Sequence, residues 1–260
     1  DLVRVSLEPT RIEVTLDEPV FLELTIENGR NEEVKVDLGA GRKTNLLFSV
    51  FDETGTRKMI PRRMTNGIQR VGKISIAKNT TYQQKLWLDE WYGFTTPGQF
   101  MLEVALMKEI TTVEGVGVRT AFTGQASVTV LARDEEKLRV VYQQLADTVI
   151  HSRDWDTQNL AARALSFAGD PMTVPFHTRV LRQGELPVKF LAVMGLARIA
   201  NPEAIQVLRA EAKKHDPDTN AHIESIFKEI KKGTLKLWNK RTVRDENIVI
   251  DKRGQPVYVK

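Results

Sequence analysis

The chain of 260 residues contains no cysteine, which excludes disulfides, thiolate zinc sites and cysteine nucleophiles together. It also lacks any run of about 18 apolar residues, so no segment reads as a membrane-spanning helix. Its seven serines include none in a Gly-x-Ser-x-Gly setting, and no triad motif surrounds them. Only four histidines are present, His151, His177, His215 and His222, all in the second half. These absences set the expectation of a protein that is not an enzyme and holds neither cofactor nor metal. Acidic residues are missing from 57–73, where Arg57, Lys58, Arg62, Arg63, Arg70 and Lys73 fall together. The last stretch, 234–260, holds seven Lys/Arg against three Asp/Glu, which equals the net +4 of the whole chain. The basic balance is therefore a tail and one local patch rather than a contiguous basic face, and nucleic acid is not the expected partner. The first residue is Asp1 rather than methionine, which fits a processed product and favours an extracytoplasmic location over a cytoplasmic one.

What is present is a globular composition, 41% apolar and 28% charged, distributed in two periods. Up to about residue 131 apolar residues alternate. Ile12, Val14 and Leu16 share one face, as do Leu22, Leu24 and Ile26, and "LLFSVF", "KISI", "QKLWL", "QFMLEVAL" and "ASVTVLA" continue the pattern. Asn28-Gly29, Thr54-Gly55, Asn66-Gly67 and Pro97-Gly98 supply turn chemistry between them. Seven to nine short strands so spaced predict an antiparallel, immunoglobulin-like β-sandwich over 1–132 without the cysteine pair. From 133 the period becomes helical: Leu138, Val141, Leu145 and Val149 form one stripe, and further helical segments of ten to fifteen residues follow up to 233. Residues 234–260 read as a basic tail ending in a β-hairpin. An isolated hairpin is marginal in water, so this one is expected to add to a sheet edge of its own chain or of a second copy.

Within the helical half, "SFAGDPMTVPF" (166–176) and "ARIANPEAIQV" (197–207) repeat at an offset of 31 residues. Ala161 aligns with Ala192, Leu165 with Leu196, Pro171 with Pro202 and Val174 with Ile205. Asp170 and Asn201 suit an N-cap, where a short side-chain oxygen accepts from free amides of the first turn, and proline suits the position that follows. The small residues Ala161, Ala164, Ala192 and Gly195 would let helices approach closely. A self-similar helical pair of this length predicts an α-solenoid. "LAVMGLARIANPEAIQVLRAEAK" (191–213) resembles a bacterial HEAT-like repeat, and "LAARALSFAGDPMTVPFHTRVLR" (160–182) is a poorer copy with Pro175 inside its second helix. The resemblance implies a protein-interaction scaffold of two full repeats, with the helices at 134–151 and 218–232 as caps. "LDEPVFLELTIENGRNEEVKVDL" and "WYGFTTPGQFMLEVAL" resemble strands of bacterial Ig-like accessory modules, including the intracellular proteinase-inhibitor type.

Candidate chemistry is sparse. "HDPDTNAHIE" (215–224) imitates the opening of a calcium loop, but Ala221 stands where glycine makes the turn and Phe227 where a glutamate closes the shell. Asp216-Pro217 reads instead as a third helix start. "DLGAGRKT" (37–44) has arginine where a phosphate loop needs lysine, and a strand follows it rather than a helix. In "KLWLDEWYGF" (85–94), Trp87 is expected to fill the sandwich core, whereas Trp91 and Tyr92 lie at a loop where aromatics could anchor a partner. The reading is thus a non-enzymatic scaffold that recognises a protein partner through its helical face and sandwich loops. Trp91, Tyr92, Arg57, Lys58, Arg62, Arg63, Arg70 and Lys73 are the candidate contact residues, and oligomerisation through the hairpin is allowed. A protease-inhibitor-like loop, or polyanion binding by 57–73, are the alternatives.

Overall fold

Strand alternation lays down the first half of the chain in a computed structural model that describes residues 2–60, 72–118, 120–122, 126–232, 248–250 and 256–258. β1 (Val3–Pro9) pairs antiparallel with β3 (Phe21–Asn28), which pairs with β8 (Thr81–Trp87), while β11 (Thr120–Phe122) joins β1 in parallel. A second sheet has the order β2 (Glu13–Thr15), β12 (Ala126–Leu131), β9 (Gly98–Leu106), β5 (Leu46–Phe51), β6 (Arg57–Ile60). A third unites β10 (Thr111–Thr112), β4 (Val34–Asp37) and β7 (Lys73–Ile76). Val5, Leu7, Leu24 and Ile26 of the first sheet, Phe48, Leu102 and Val128 of the second, and Val36 and Ile76 of the third close on one core. These strands outnumber the seven to nine expected. The extra ones, β2, β10 and β11, are pieces of two or three residues, too short to show alternation.

Fully buried Asn28 ends β3 and fixes the entry to β4. Its amide nitrogen donates to the carbonyls of Glu32, Ile76 and Ala77, and its oxygen accepts from the Arg30 amide at 3.1 Å. Residues 37–44, compared above with a phosphate loop, form a short 3-10 turn over Ala40–Arg42 between β4 and β5. In the tail, β13 (Ile248–Ile250) pairs antiparallel with β14 (Pro256–Tyr258) as a separate two-stranded sheet, not as an extension of another sheet among the described residues.

The chain divides into two units. Residues 1–16, 20–132 and 245–260 form one, and 17–19 with 133–244 form the other. The second is helical: α1 (Glu135–His151), α2 (Trp155–Phe167), α3 (Val174–Gln183), α4 (Leu186–Ile199), α5 (Pro202–Glu211) and α6 (Pro217–Lys232). α1, α3 and α5 pack in succession as one layer, and α2, α4 and α6 as another, with α4 also against α3 and α5. Within each layer the helices run parallel, because the inter-helix ties join like ends. Asp147 of α1 meets Arg179 of α3, Arg182 of α3 meets Glu211 of α5, and Lys189 of α4 meets Asp216 ahead of α6. No helix among the described residues is long and apolar enough to cross a membrane.

The repeated turns are built alike. Gly169 and Ala200 sit in the left-handed region, at φ 61° and 50°, and each hands the chain to a capping residue. Asp170 Oδ1 then accepts from the Met172 amide at 3.0 Å, and Asn201 Oδ1 from the Ala204 amide at 2.8 Å. Asp216 does the same for Thr219 at 2.8 Å, so the calcium-like segment is a helix start. Asp170 carries a second duty. Its Oδ2 lies 2.5 Å from the Arg133 guanidinium, which also holds Asp17 at 2.5 Å. Burial works against the charged Arg133, yet the two carboxylates outweigh it and raise the pKa. Asp170→Ala should therefore lose the cap, worth about 1 kcal/mol, together with an ion pair whose side chains are 29% and 11% exposed. Asp170→Asn should keep the first and lose only the second. Urea midpoints of the two variants, followed by helical circular dichroism, check the ordering.

Candidate functional site

α4 carries apolar residues on every side, the signature of a helix meant to be buried. Its neighbours α2 and α6 flank it and α3 and α5 lie beneath, which leaves one open side, facing away from the α1–α3–α5 layer. Pro187, Phe190, Leu191, Met194 and Arg198 recur at helical spacing along that side, and each keeps some exposure, while Val188, Ala192, Val193, Leu196 and Ala197 are buried on the others. The open side of α4 is thus apolar through three of its four turns. The repeat offset locates the flanks. Asn159, Leu160 and Arg163 of α2 correspond to Phe190, Leu191 and Met194, and so do Ala221, His222 and Ser225 of α6. The layer therefore presents an apolar centre between mainly polar margins, the anatomy of a protein-binding patch.

Ties on either side hold α4 in place. The Arg198 guanidinium stacks 4.1 Å from the Phe167 ring centroid and donates to the Ser166 carbonyl and hydroxyl. Burial lowers its pKa to about 10, so it stays charged at neutral pH. Phe190 packs on His222 with ring centroids 4.9 Å apart, and burial pushes the His222 pKa down against the pull of Glu229. At the start of α4, Lys189 lies 3.4 Å from Asp216. The amide hydrogen bond from Thr219, above all, holds Asp216 down at about 2. Beneath α4 the His177 ring of α3 lies against Gly195, fully buried. Neither ring nitrogen has a well-formed hydrogen bond. Burial first, and the Arg198 charge second, push its pKa down to about 3, while the Leu165 carbonyl pulls weakly the other way.

The residues singled out in the sequence lie elsewhere, and the structure separates them. Trp91 is 4% exposed, its ring 4.7 Å from that of Phe48, so it is a core residue and not a loop anchor. The cause is the 3-10 turn at Leu88–Glu90, which folds inward. Asp89 accepts from the Val20 amide at 3.0 Å, Glu90 pairs with Lys43, and the amides of Trp91 and Tyr92 both return to the Leu88 carbonyl. Tyr92 is half-buried, edge-on to Phe94 at 5.2 Å. Trp87 is also buried, but it stands apart from the sandwich core that Leu86 and Leu88 join, because side chains alternate across β8. Arg57 reaches Ser49 at 3.1 Å and the Phe51 ring, in the second sheet, whereas exposed Lys73 lies in the third, beside Asp37. Lys58 occupies β6 opposite Val50. Arg62, Arg63 and Arg70 fall outside the described residues. Phe190, Leu191 and Met194 went unmarked in the sequence, although "LPVKFLAVMGLARI" gave one signal: it is a helix with no polar face.

Among the described residues no three His, Asp or Glu side chains are grouped to hold a metal ion. Residues 142–226 match the family model of HEAT repeats, from within α1 to within α6. No curated protein matches the chain. Among solved structures, the CARDB domain of a Pyrococcus furiosus protein is similar at 11% identity, with 50% of this chain and 90% of that chain covered and a TM-score of 0.28. A non-cellulosomal cohesin from Archaeoglobus fulgidus is similar at 13% identity, with 52% and 96% covered and a TM-score of 0.26. Spo0M, a sporulation control protein from Bacillus subtilis, is similar at 9%, with 58% and 55% covered and a TM-score of 0.26. The class of protein is defined by the strands and the helical match: an all-β unit followed by an all-α unit that matches HEAT repeats.

Proposed function

We propose that this protein is a non-enzymatic adaptor whose α2–α4–α6 layer binds a macromolecular partner, with Phe190, Leu191 and Met194 at the centre of the contact. One observation carries the reading: the open side of α4 is apolar where a monomer's surface helix would be polar. Burying it on a partner removes apolar area from water at about 25 cal/mol per Å², and the polar margins at Asn159, Arg163 and Ser225 supply register. HEAT repeats generally mediate protein interactions, which supports the same conclusion.

A photo-crosslinking amino acid placed at 191 or 194 in the native host should trap one discrete partner. The same group at Gln206, exposed on the other layer, should not. Met194→Glu should abolish the 191 crosslink while leaving the helical circular dichroism unchanged. Equal crosslinking from 191 and 206, or a crosslink that survives Met194→Glu, would remove the reading.

A further inference from the structure

The even-numbered helices begin on one edge of the helical unit, since they run parallel. Their first residues are Trp155, Leu186 and Pro217, each 31 residues from the next and each exposed. Trp155 is 45% exposed and Leu186 37%, two of only seven large apolar residues so exposed among the described ones. The ladder runs across the three helices along this edge, one residue wide, and meets the α4 stripe where Leu186 adjoins Pro187. Its rungs are set by helix packing, so they stand about 8–10 Å apart.

That spacing selects a conformation. A polyproline-II segment has three residues per turn and rises about 3.1 Å per residue, so it shows the same face about every 9 Å. A β-strand repeats its face about every 7 Å, out of step with the rungs. A helix docks through a groove that receives a broad stripe, and a ladder one residue wide offers none. Trp155 adds the aromatic platform on which proline-rich segments rest. The edge is also acidic. Asp154, Asp156, Glu185, Asp216 and Asp218 flank the rungs, against Arg153 in residues 153–156, 185–187 and 216–218 and Lys189, which pairs with Asp216. Glu185 makes no side-chain capping bond, and Arg182 and Lys214, at the neighbouring helix ends, are already engaged by Glu211.

We propose that the edge carrying Trp155, Leu186 and Pro217 docks a basic polyproline-II segment of a partner protein, with an apolar side chain at every third residue. It specifies partner chemistry for the helical unit, yet it does not depend on the α4 stripe.

The test uses the whole chain and a fluorescein-labelled peptide of three Pro-Lys-Leu triplets, read by anisotropy. The peptide should bind at least tenfold tighter than an isomer with its leucines at every second position, and tighter than the version with Glu for Lys. Trp155→Ser should weaken binding at least tenfold with the circular dichroism unchanged. Leu186→Ser should weaken it severalfold, and it decides the matter if the tryptophan variant does not fold. Met194→Glu should leave peptide binding unaltered, which separates this proposal from the α4 reading. Equal binding of the isomers, unchanged binding by the folded variants, or no binding at millimolar peptide would overturn it.

Discussion

Gly195→Ala should destabilise the helical unit by about 3 kcal/mol, at the upper end of what overpacking costs. A Cβ built at Gly195 would lie 2.3 Å from Cε1, 2.5 Å from Nε2 and 2.8 Å from Nδ1 of His177, far inside contact distance. The ring cannot swing away, since it is fully buried between α3 and α4. Nor can α4 retreat without loosening the Arg198 stack on Phe167 on one side and the Phe190–His222 contact on the other. The variant should show a lower urea midpoint by circular dichroism at 222 nm. Pairing it with His177→Ala should restore part of the loss, because the methyl then fills space the ring has left; neighbours that share a space are non-additive in this sense. A Gly195→Ala protein with the parental midpoint would mean that the close approach of α3 and α4 is not obligatory.

Gly195 was readable as a small residue for close packing, and the reason is now specific: it makes room for an imidazole. Other features were legible because they are local. The caps at Asp170, Asn201 and Asp216 depend on three or four consecutive residues, and the change of period near residue 132 depends on a window of about ten. The fate of Trp91 was not legible, because it turns on Val20, which is 69 residues from the Asp89 that draws the turn inward. The α4 stripe failed for another reason. A helix that is apolar all round reads as buried, and only the count of its neighbours shows that one side is open. Sequence periodicity reports how many faces want burial, and it is silent on which of them find a partner within the chain.

The charged ties show how the repeat fixes its own register. Asp147 with Arg179, and Arg182 with Glu211, join successive helices of one layer near their last turns, at separations close to the repeat length. Burial alone would raise the Glu211 pKa. The Arg182 hydrogen bonds and charge more than offset this and keep it low. A slip of one residue between α3 and α5 would take Arg182 from Glu211, leaving a 3% exposed carboxylate with only Lys214 and His215 of its own segment, at a cost in a buried setting. The edge ladder at Trp155, Leu186 and Pro217 inherits its regularity from these ties, because rungs stay evenly spaced only while the helices stay in step.

Acid should weaken the helical unit well before its carboxylates titrate. His177 has an ordinary pKa of 6.5 that falls to about 3 in the folded chain, so the fold holds the ring neutral and the unfolded chain takes up the proton. Stability therefore falls as the pH drops below about 6.5, at roughly 1.4 kcal/mol per pH unit, until the folded pKa is reached. Between pH 6.5 and 5 the loss should be about 2 kcal/mol. The groups facing the ring give it no relief: Arg198 on α4 is cationic, and α2 offers only the Leu165 carbonyl. His222, also held down by burial, adds a smaller effect of the same sign. Glu211 and Asp216, whose pKa values are lowered from 4.5 and 3.8, lose their contributions only as the pH falls through and below those values. The interval from 6.5 to 5 is thus the histidine interval. Urea midpoints across it should fall steeply for the parent chain and much less for His177→Leu or His177→Phe, whichever folds better at pH 7.5. A parental slope that persists in both variants would mean that His177 gains a proton in the folded state, and that its packing on Gly195 opens more readily than the close contact implies.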